Sequence, residues 1–150
     1  MLHIQMAQAH RAKKDFDSAI ASYIEVLKAE PSLERVYVEL GNVYMQKGDF
    51  DKAEETLEKA ASTFSAGREV FYNLGEVHFS KGQMDEATKY FQTASERDAA
   101  WAKPVFKLGL VALNKGDTAG AVTAMEKVIA LEPNSAEAAQ AQALLAQLKK

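Results

Sequence analysis

Residues 34–67 read ERVYVELGNVYMQKGDFDKAEETLEKAASTFSAG, and this stretch decides the fold. Its apolar side chains recur at the spacing of two amphipathic helices, separated by a short Lys-Gly-Asp turn. The pattern returns at equal intervals without insertion, and its recurring pairs are Leu40-Gly41, Leu74-Gly75 and Leu108-Gly109 at one place and Lys47-Gly48, Lys81-Gly82 and Lys115-Gly116 at another. A fixed interval of about 34 residues is typical of stacked helical repeats.

The composition is that of an ordinary folded domain and excludes several classes of protein. The 150 residues include 18 basic and 21 acidic side chains, a formal charge of −3, and no cysteine. This charge balance provides no general attraction to nucleic acid or to an anionic membrane. The absence of cysteine rules out disulfides. The compartment is unknown. The cytoplasm is the default expectation, because no apolar run has the length of a signal peptide or membrane span.

The spacing predicts one domain over residues 1–150, built from helical pairs. We expect four units at about 1–33, 34–67, 68–101 and 102–135, followed by a closing helix at 136–150. The helices are predicted near residues 1–13, 16–29, 34–47, 50–63, 68–81, 84–97, 102–115, 118–131 and 135–149.

Turn and cap residues mark the ends of these predicted helices. A glycine just past the first helix of a pair takes the left-handed conformation without a side-chain clash. Asp15, Asp49 and Asp117 are suited to cap second helices, and Asn134 is suited to cap the closing helix. The glycine of each Leu-Gly pair lies in mid-helix, where it costs about 1 kcal/mol against alanine, so we expect close helix packing there.

These residues resemble the tetratricopeptide repeat family, whose repeating unit is a helix–turn–helix with large, small and aromatic residues at set places. The matching positions are the Leu-Gly pairs, the aromatic slots Tyr37, Phe71 and Tyr44, and the second-helix alanines Ala19, Ala53, Ala87 and Ala121. The proline that ends a unit is kept only as Pro31 and Pro133. The resemblance implies an all-α, right-handed superhelix of four helix–turn–helix units plus a C-terminal closing helix.

The resemblance also implies an adaptor that holds a protein or peptide segment in a concave groove lined by the first helix of each unit. The groove positions that carry this prediction here are Val38, Asn42, Met45, Tyr72, Asn73, Glu76, Phe79, Lys103, Phe106, Lys107, Leu110 and Leu113. Most are apolar, and contiguous exposed apolar surface commonly marks a partner site, so we expect an apolar or amphipathic partner segment.

Some family members hold a peptide's C-terminal carboxylate with two asparagines and three basic residues. The matching slots hold Asn42, Asn73, Lys103 and Lys107, but Val38 replaces the first basic residue, and Glu76 would repel a carboxylate. The carboxylate clamp is therefore an incomplete hypothesis. Asparagine at both slots also has a structural interpretation, since its amide can bond to a neighbouring helix.

Two alternatives to groove binding stay open at this point. The closing helix or an absent neighbouring segment covers the apolar surface, or the chain is a structural, self-associating part of a larger solenoid or multidomain protein. An enzyme is not expected, because no nucleophile motif, phosphate-binding loop or metal-ligand spacing is present, and no cofactor is predicted. His10 and His78 occupy aromatic core slots, where a packed imidazole with one hydrogen bond is the favoured interpretation.

Overall fold

The computed structural model describes residues 1–63 and 65–150. Over these ranges the chain forms nine α-helices and no strand, which confirms the all-α class. The helices are α1 Leu2–Ala12, α2 Phe16–Ala29, α3 Glu34–Lys47, α4 Phe50–Thr63, α5 Arg68–Ser80, α6 Met84–Arg97, α7 Ala102–Asn114, α8 Thr118–Leu131 and α9 Ala136–Leu148. Within the same ranges, none combines the length and apolarity that crossing a membrane takes.

The helices pack in chain order as a helical repeat solenoid. Helices α1 and α2, α3 and α4, α5 and α6, and α7 and α8 make the most extensive contacts, and α9 packs on α8. Helix α3 also contacts α5, and α7 contacts α9. Odd-numbered helices therefore approach one another at these two places in the stack. The division into four units at the predicted boundaries stays a prediction.

The mid-helix glycines allow the two helices of a pair to approach closely, as the sequence predicts. A β-carbon at Gly41 would lie 2.8 Å from Leu57, and one at Gly109 would lie 2.6 Å from Met125. Both partner side chains are fully buried. The periodic glycine thus makes room for the large residue that each second helix inserts at the same place.

The turns and helix caps follow the predicted chemistry, except at the start of α9. Gly48 ends α3 with φ 84°, whereas Lys14 takes φ 60° at the corresponding turn of the first pair. Asp117 caps α8 by accepting from the Gly120 amide at 2.8 Å. The predicted cap Asn134 is wrong: α9 begins one residue later, and the Ser135 hydroxyl accepts from the Ala138 amide at 3.0 Å.

An ion-pair ladder joins successive helical pairs at the period of the repeat. The three rungs are Lys47–Asp17 at 2.6 Å, Lys81–Asp51 at 2.9 Å and Lys115–Asp85 at 2.6 Å. In each rung the lysine lies at the end of a first helix, and the aspartate lies in the first turn of the preceding second helix. This position places a carboxylate at the positive end of its helix dipole as well as beside an ammonium group.

Candidate functional site

The predicted groove residues all lie on the odd helices α3, α5 and α7. Three of them, Met45, Phe79 and Leu113, occupy the same position of successive first helices, one repeat apart. Each is half-buried. We call these three side chains the apolar strip. Met45 packs at its base against the core around α3–α5, and Phe79 packs against the core around α6, so each keeps one side accessible.

Val38 and Phe106 lie deeper than the sequence pattern implies. Val38 is 8% exposed and belongs to the core between α3 and α5. Phe106 is 6% exposed and packs in one cluster with Ala138 and Ala141 of α9. Because alanine is small, α9 comes close enough to cover α7. Neither Val38 nor Phe106 therefore keeps much surface for a partner.

Leu110 takes an intermediate place between the covered and the accessible residues. It is half-buried and packs against the cluster that holds Phe106. One alternative is that the closing helix covers apolar surface on α7. This holds for Phe106, which is buried, and in part for Leu110. Leu113, one turn further along α7, is half-buried and completes the apolar strip.

Tyr72 is held by aromatic rings on two sides. Its ring centroid lies 5.7 Å from that of Phe91 and 5.0 Å from that of Trp101. Burial, with smaller contributions from the charges of Glu76 and Glu137, raises the pKa of the Tyr72 phenol above its ordinary value. Tyr72 therefore contributes a fixed, neutral ring.

Trp101 lies outside the predicted site residues, although it is the chain's single tryptophan. It lies directly before α7, and the Arg68 guanidinium lies 4.3 Å from its ring centroid in a cation–π contact. Arg68 also pairs with Asp98. The composition marks Trp101 as unusual, but only the packing shows which helix it touches.

The polar groove residues are engaged within the chain to different degrees. Lys107 Nζ lies 2.9 Å from Glu76 Oε1 and 5.7 Å from the Phe79 ring centroid. Asn42 and Asn73 are half-buried, and Lys103 is exposed. The Lys107 charge is thus paired with Glu76, which reduces what it can offer to a carboxylate ligand.

The two histidines at predicted core slots have structural surroundings, although only His78 is buried and the His10 side chain is 35% exposed. His78 is buried, with Nδ1 at 2.7 Å from Gln83 Oε1 and Nε2 at 3.5 Å from Glu54 Oε1. His10 Nδ1 lies 3.2 Å from Asp15 Oδ2. Over residues 1–63 and 65–150, no group of three His, Asp or Glu side chains is arranged to hold a metal ion.

Comparison with family models gives three matches, each described as a tetratricopeptide repeat. They cover residues 38–102, 10–65 and 105–135. No curated protein matches the sequence.

Solved structures of repeat proteins are similar over almost the whole chain. A crystal structure of MamA protein is 32% identical, with a TM-score of 0.80 over 99% of this chain and 81% of that one. YrrB, described as a TPR protein with an unusual peptide-binding site, is 26% identical, with a TM-score of 0.72 over 98% of this chain and 76% of that one. MamA 41-end from Desulfovibrio magneticus RS-1 is 24% identical, with a TM-score of 0.78 over 89% and 76% of the two chains, and shows the fold alone.

Proposed function

This chain belongs to the tetratricopeptide repeat family and is a protein-interaction scaffold, and from that premise we propose that it binds an apolar or amphipathic segment of a partner protein along α3, α5 and α7. The proposal rests on the apolar strip. Met45, Phe79 and Leu113 place one partly accessible side chain on each of three successive first helices. A partner segment can contact all three in turn.

The surroundings of the strip favour an extended apolar contact over a carboxylate clamp. The Glu76–Lys107 pair lies beside Phe79 and neutralises the charge that a clamp would use. Val38 adds no basic group and is buried. We therefore propose that the asparagines Asn42 and Asn73 bond the partner's backbone, while the strip supplies most of the affinity.

Self-association is the second candidate, and helix α1 favours it. Leu2 is 67% exposed and Met6 is 43% exposed, although large apolar side chains on a helix are normally covered. A second copy or a neighbouring repeat would cover this face. Sedimentation across a concentration series, with Met6→Asp as the comparison, tests it: a wild type that stays monomeric would rule out self-association at α1.

Selection from a random peptide library tests the groove proposal. The wild-type protein should select peptides with recurring apolar residues, and Phe79→Ala and Leu113→Ala should each weaken a selected peptide about tenfold, as expected for a contact of about 1.4 kcal/mol. Gln92→Ala on α6 is the matched surface control and should leave the affinity unchanged. Peptides with amidated C-termini should bind as well as free ones. Equal affinity for wild type and both strip variants would contradict the proposal.

A further inference from the structure

A cavity of about 480 Å³ opens between α2 and α4, on a different face of α3 from the apolar strip. Its floor is apolar and aromatic, with Ile24 and Leu27 from α2 and Tyr37 and Tyr44 from α3. This volume lies within the range of about 300–1,000 Å³ that is common for ligand sites in proteins. The groove proposal makes no use of it.

The next step of the solenoid shows why this space is open. Tyr90 stands one repeat after Thr56, and its ring stacks on His78 with centroids 5.1 Å apart and planes 17° apart. His78 in turn stands one repeat after Tyr44, so the pair Tyr90–His78 corresponds to Thr56–Tyr44. Thr56 and Tyr44 both line the cavity. Because threonine has no ring, the face of Tyr44 that corresponds to the stacked face of His78 is left for another group.

The rim of the cavity is positively charged, although the whole chain carries a formal charge of −3. Lys28, Lys52 and Lys59 line it against one acidic residue, Glu55. Lys52 Nζ lies 5.9 Å from the Tyr44 ring centroid, and Lys59 Nζ lies 5.9 Å from that of Tyr37. The ammonium groups therefore border the aromatic floor.

The existing partners of these lysines do not prevent them from meeting a ligand. Lys28 pairs with Glu25 at 2.6 Å, and Lys52 pairs with Asp49 at 3.5 Å, each within one turn of the chain and on the surface. Exposed pairs of this kind contribute little to stability, so a ligand carboxylate can replace them at small cost.

We propose that this cavity is a second docking site, which takes an aromatic side chain of a partner peptide flanked by acidic residues. The aromatic ring fills the space beside Tyr44 that Tyr90 fills beside His78 one step further along. The flanking carboxylates meet Lys28, Lys52 and Lys59. A scaffold with two such sites on different faces of α3 could hold two partner segments at once.

A blocked decapeptide with one central tyrosine between aspartates and glutamates is the probe, measured by fluorescence anisotropy at low salt. The wild type should bind it. Thr56→Tyr places in α4 the residue that α6 already carries at the equivalent position, and it should reduce the affinity at least tenfold by filling the cavity. Lys59→Glu, a surface change that keeps the cavity open, should also reduce the affinity. Leu113→Ala, on the apolar strip, should leave it unchanged.

Several results would overturn the proposal. A peptide with alanine in place of tyrosine that binds equally well would reduce the interaction to non-specific charge attraction. Thr56→Tyr and Lys59→Glu proteins that both bind like the wild type would show that the probe does not enter the cavity. A wild type that dimerises while Thr56→Tyr stays monomeric would identify a second copy as the occupant.

Discussion

Gly75 faces the ring of Phe91 so closely that a β-carbon on Gly75 would lie 2.5 Å from two ring atoms. Phe91 is fully buried, and its own ring packs against Tyr72. The contact between α5 and α6 therefore depends on the absence of one carbon atom. Two opposing effects follow for an alanine at this position, and their balance can be measured.

Gly75→Ala should destabilise the protein. Helix propensity alone would stabilise it by about 1 kcal/mol, but forcing Phe91 aside costs about 1–3 kcal/mol in a packed core. Urea unfolding followed by circular dichroism measures the net effect. An increase in the free energy of unfolding would show that Phe91 moves freely, and that close packing is not the reason for the glycine.

Phe106→Ala should lower the free energy of unfolding by about 3–5 kcal/mol, because the ring lies inside the cluster shared by α7, α8 and α9. Leu113→Ala on the same helix is the matched control, and the loss there should be about 1 kcal/mol because Leu113 is only half-buried. Chemical unfolding of both variants makes the comparison. Equal losses would contradict the assignment of Phe106 to the core and Leu113 to the surface strip.

Asp85→Asn should lower stability at neutral pH, and the difference from wild type should disappear in acid. The hydrogen bond and charge of Lys115 lower the pKa of the Asp85 carboxyl in the folded protein. The stabilisation is therefore present above the ordinary pKa of an aspartate, and it is lost as the pH falls through the lowered folded value. Thermal melts from neutral pH into strong acid follow this change.

Glu86→Gln is the control for the ladder, since it removes the same charge from the same first turn of α6. A loss equal to that of Asp85→Asn would attribute the effect to the helix dipole and not to Lys115. High salt should reduce the Asp85→Asn effect, because both members of the pair are solvent-exposed.

Ser135→Ala should cost about 1 kcal/mol, whereas Asn134→Ala should cost almost nothing, because the Ser135 hydroxyl holds the Ala138 amide at the start of α9. Urea unfolding of the two single variants decides between them. A larger loss for Asn134→Ala would restore the cap that the sequence alone suggests.

The period of the repeat is sufficient to predict the helices, because the apolar spacing recurs and a glycine marks the turn in all predicted units but the first, where Lys14 takes the left-handed conformation. The period does not predict which groove side chains are buried. Phe106 is covered because α9 approaches α7 closely. The small side chains of Ala138 and Ala141 allow this approach, but the repeat pattern does not predict it. The close packing at the mid-helix glycines is predictable from the sequence. A glycine such as Gly41 lowers helix stability, and its recurrence at the same position of the repeat indicates a common structural reason.

Charge pairing between helical pairs illustrates a signal that is present in the sequence but hard to interpret. Asp51 and Lys81 recur at the period like the core residues, yet each also has other charged neighbours in sequence. Only the stacking geometry shows that they meet across 30 residues. The open cavity is likewise hard to predict from the sequence. Thr56 indicates an open space only once the structure shows that Tyr90, one repeat later, stacks on His78.

The central claim is that a partner segment lies along the odd helices and contacts the apolar strip. Titration of ¹⁵N-labelled protein with a library-selected peptide, followed by amide chemical shifts, tests it most directly. The claim predicts that the largest shifts cluster around Met45, Phe79 and Leu113 and vanish in the Phe79→Ala, Leu113→Ala double variant. Shifts confined to the even helices, or unchanged in that variant, would contradict it.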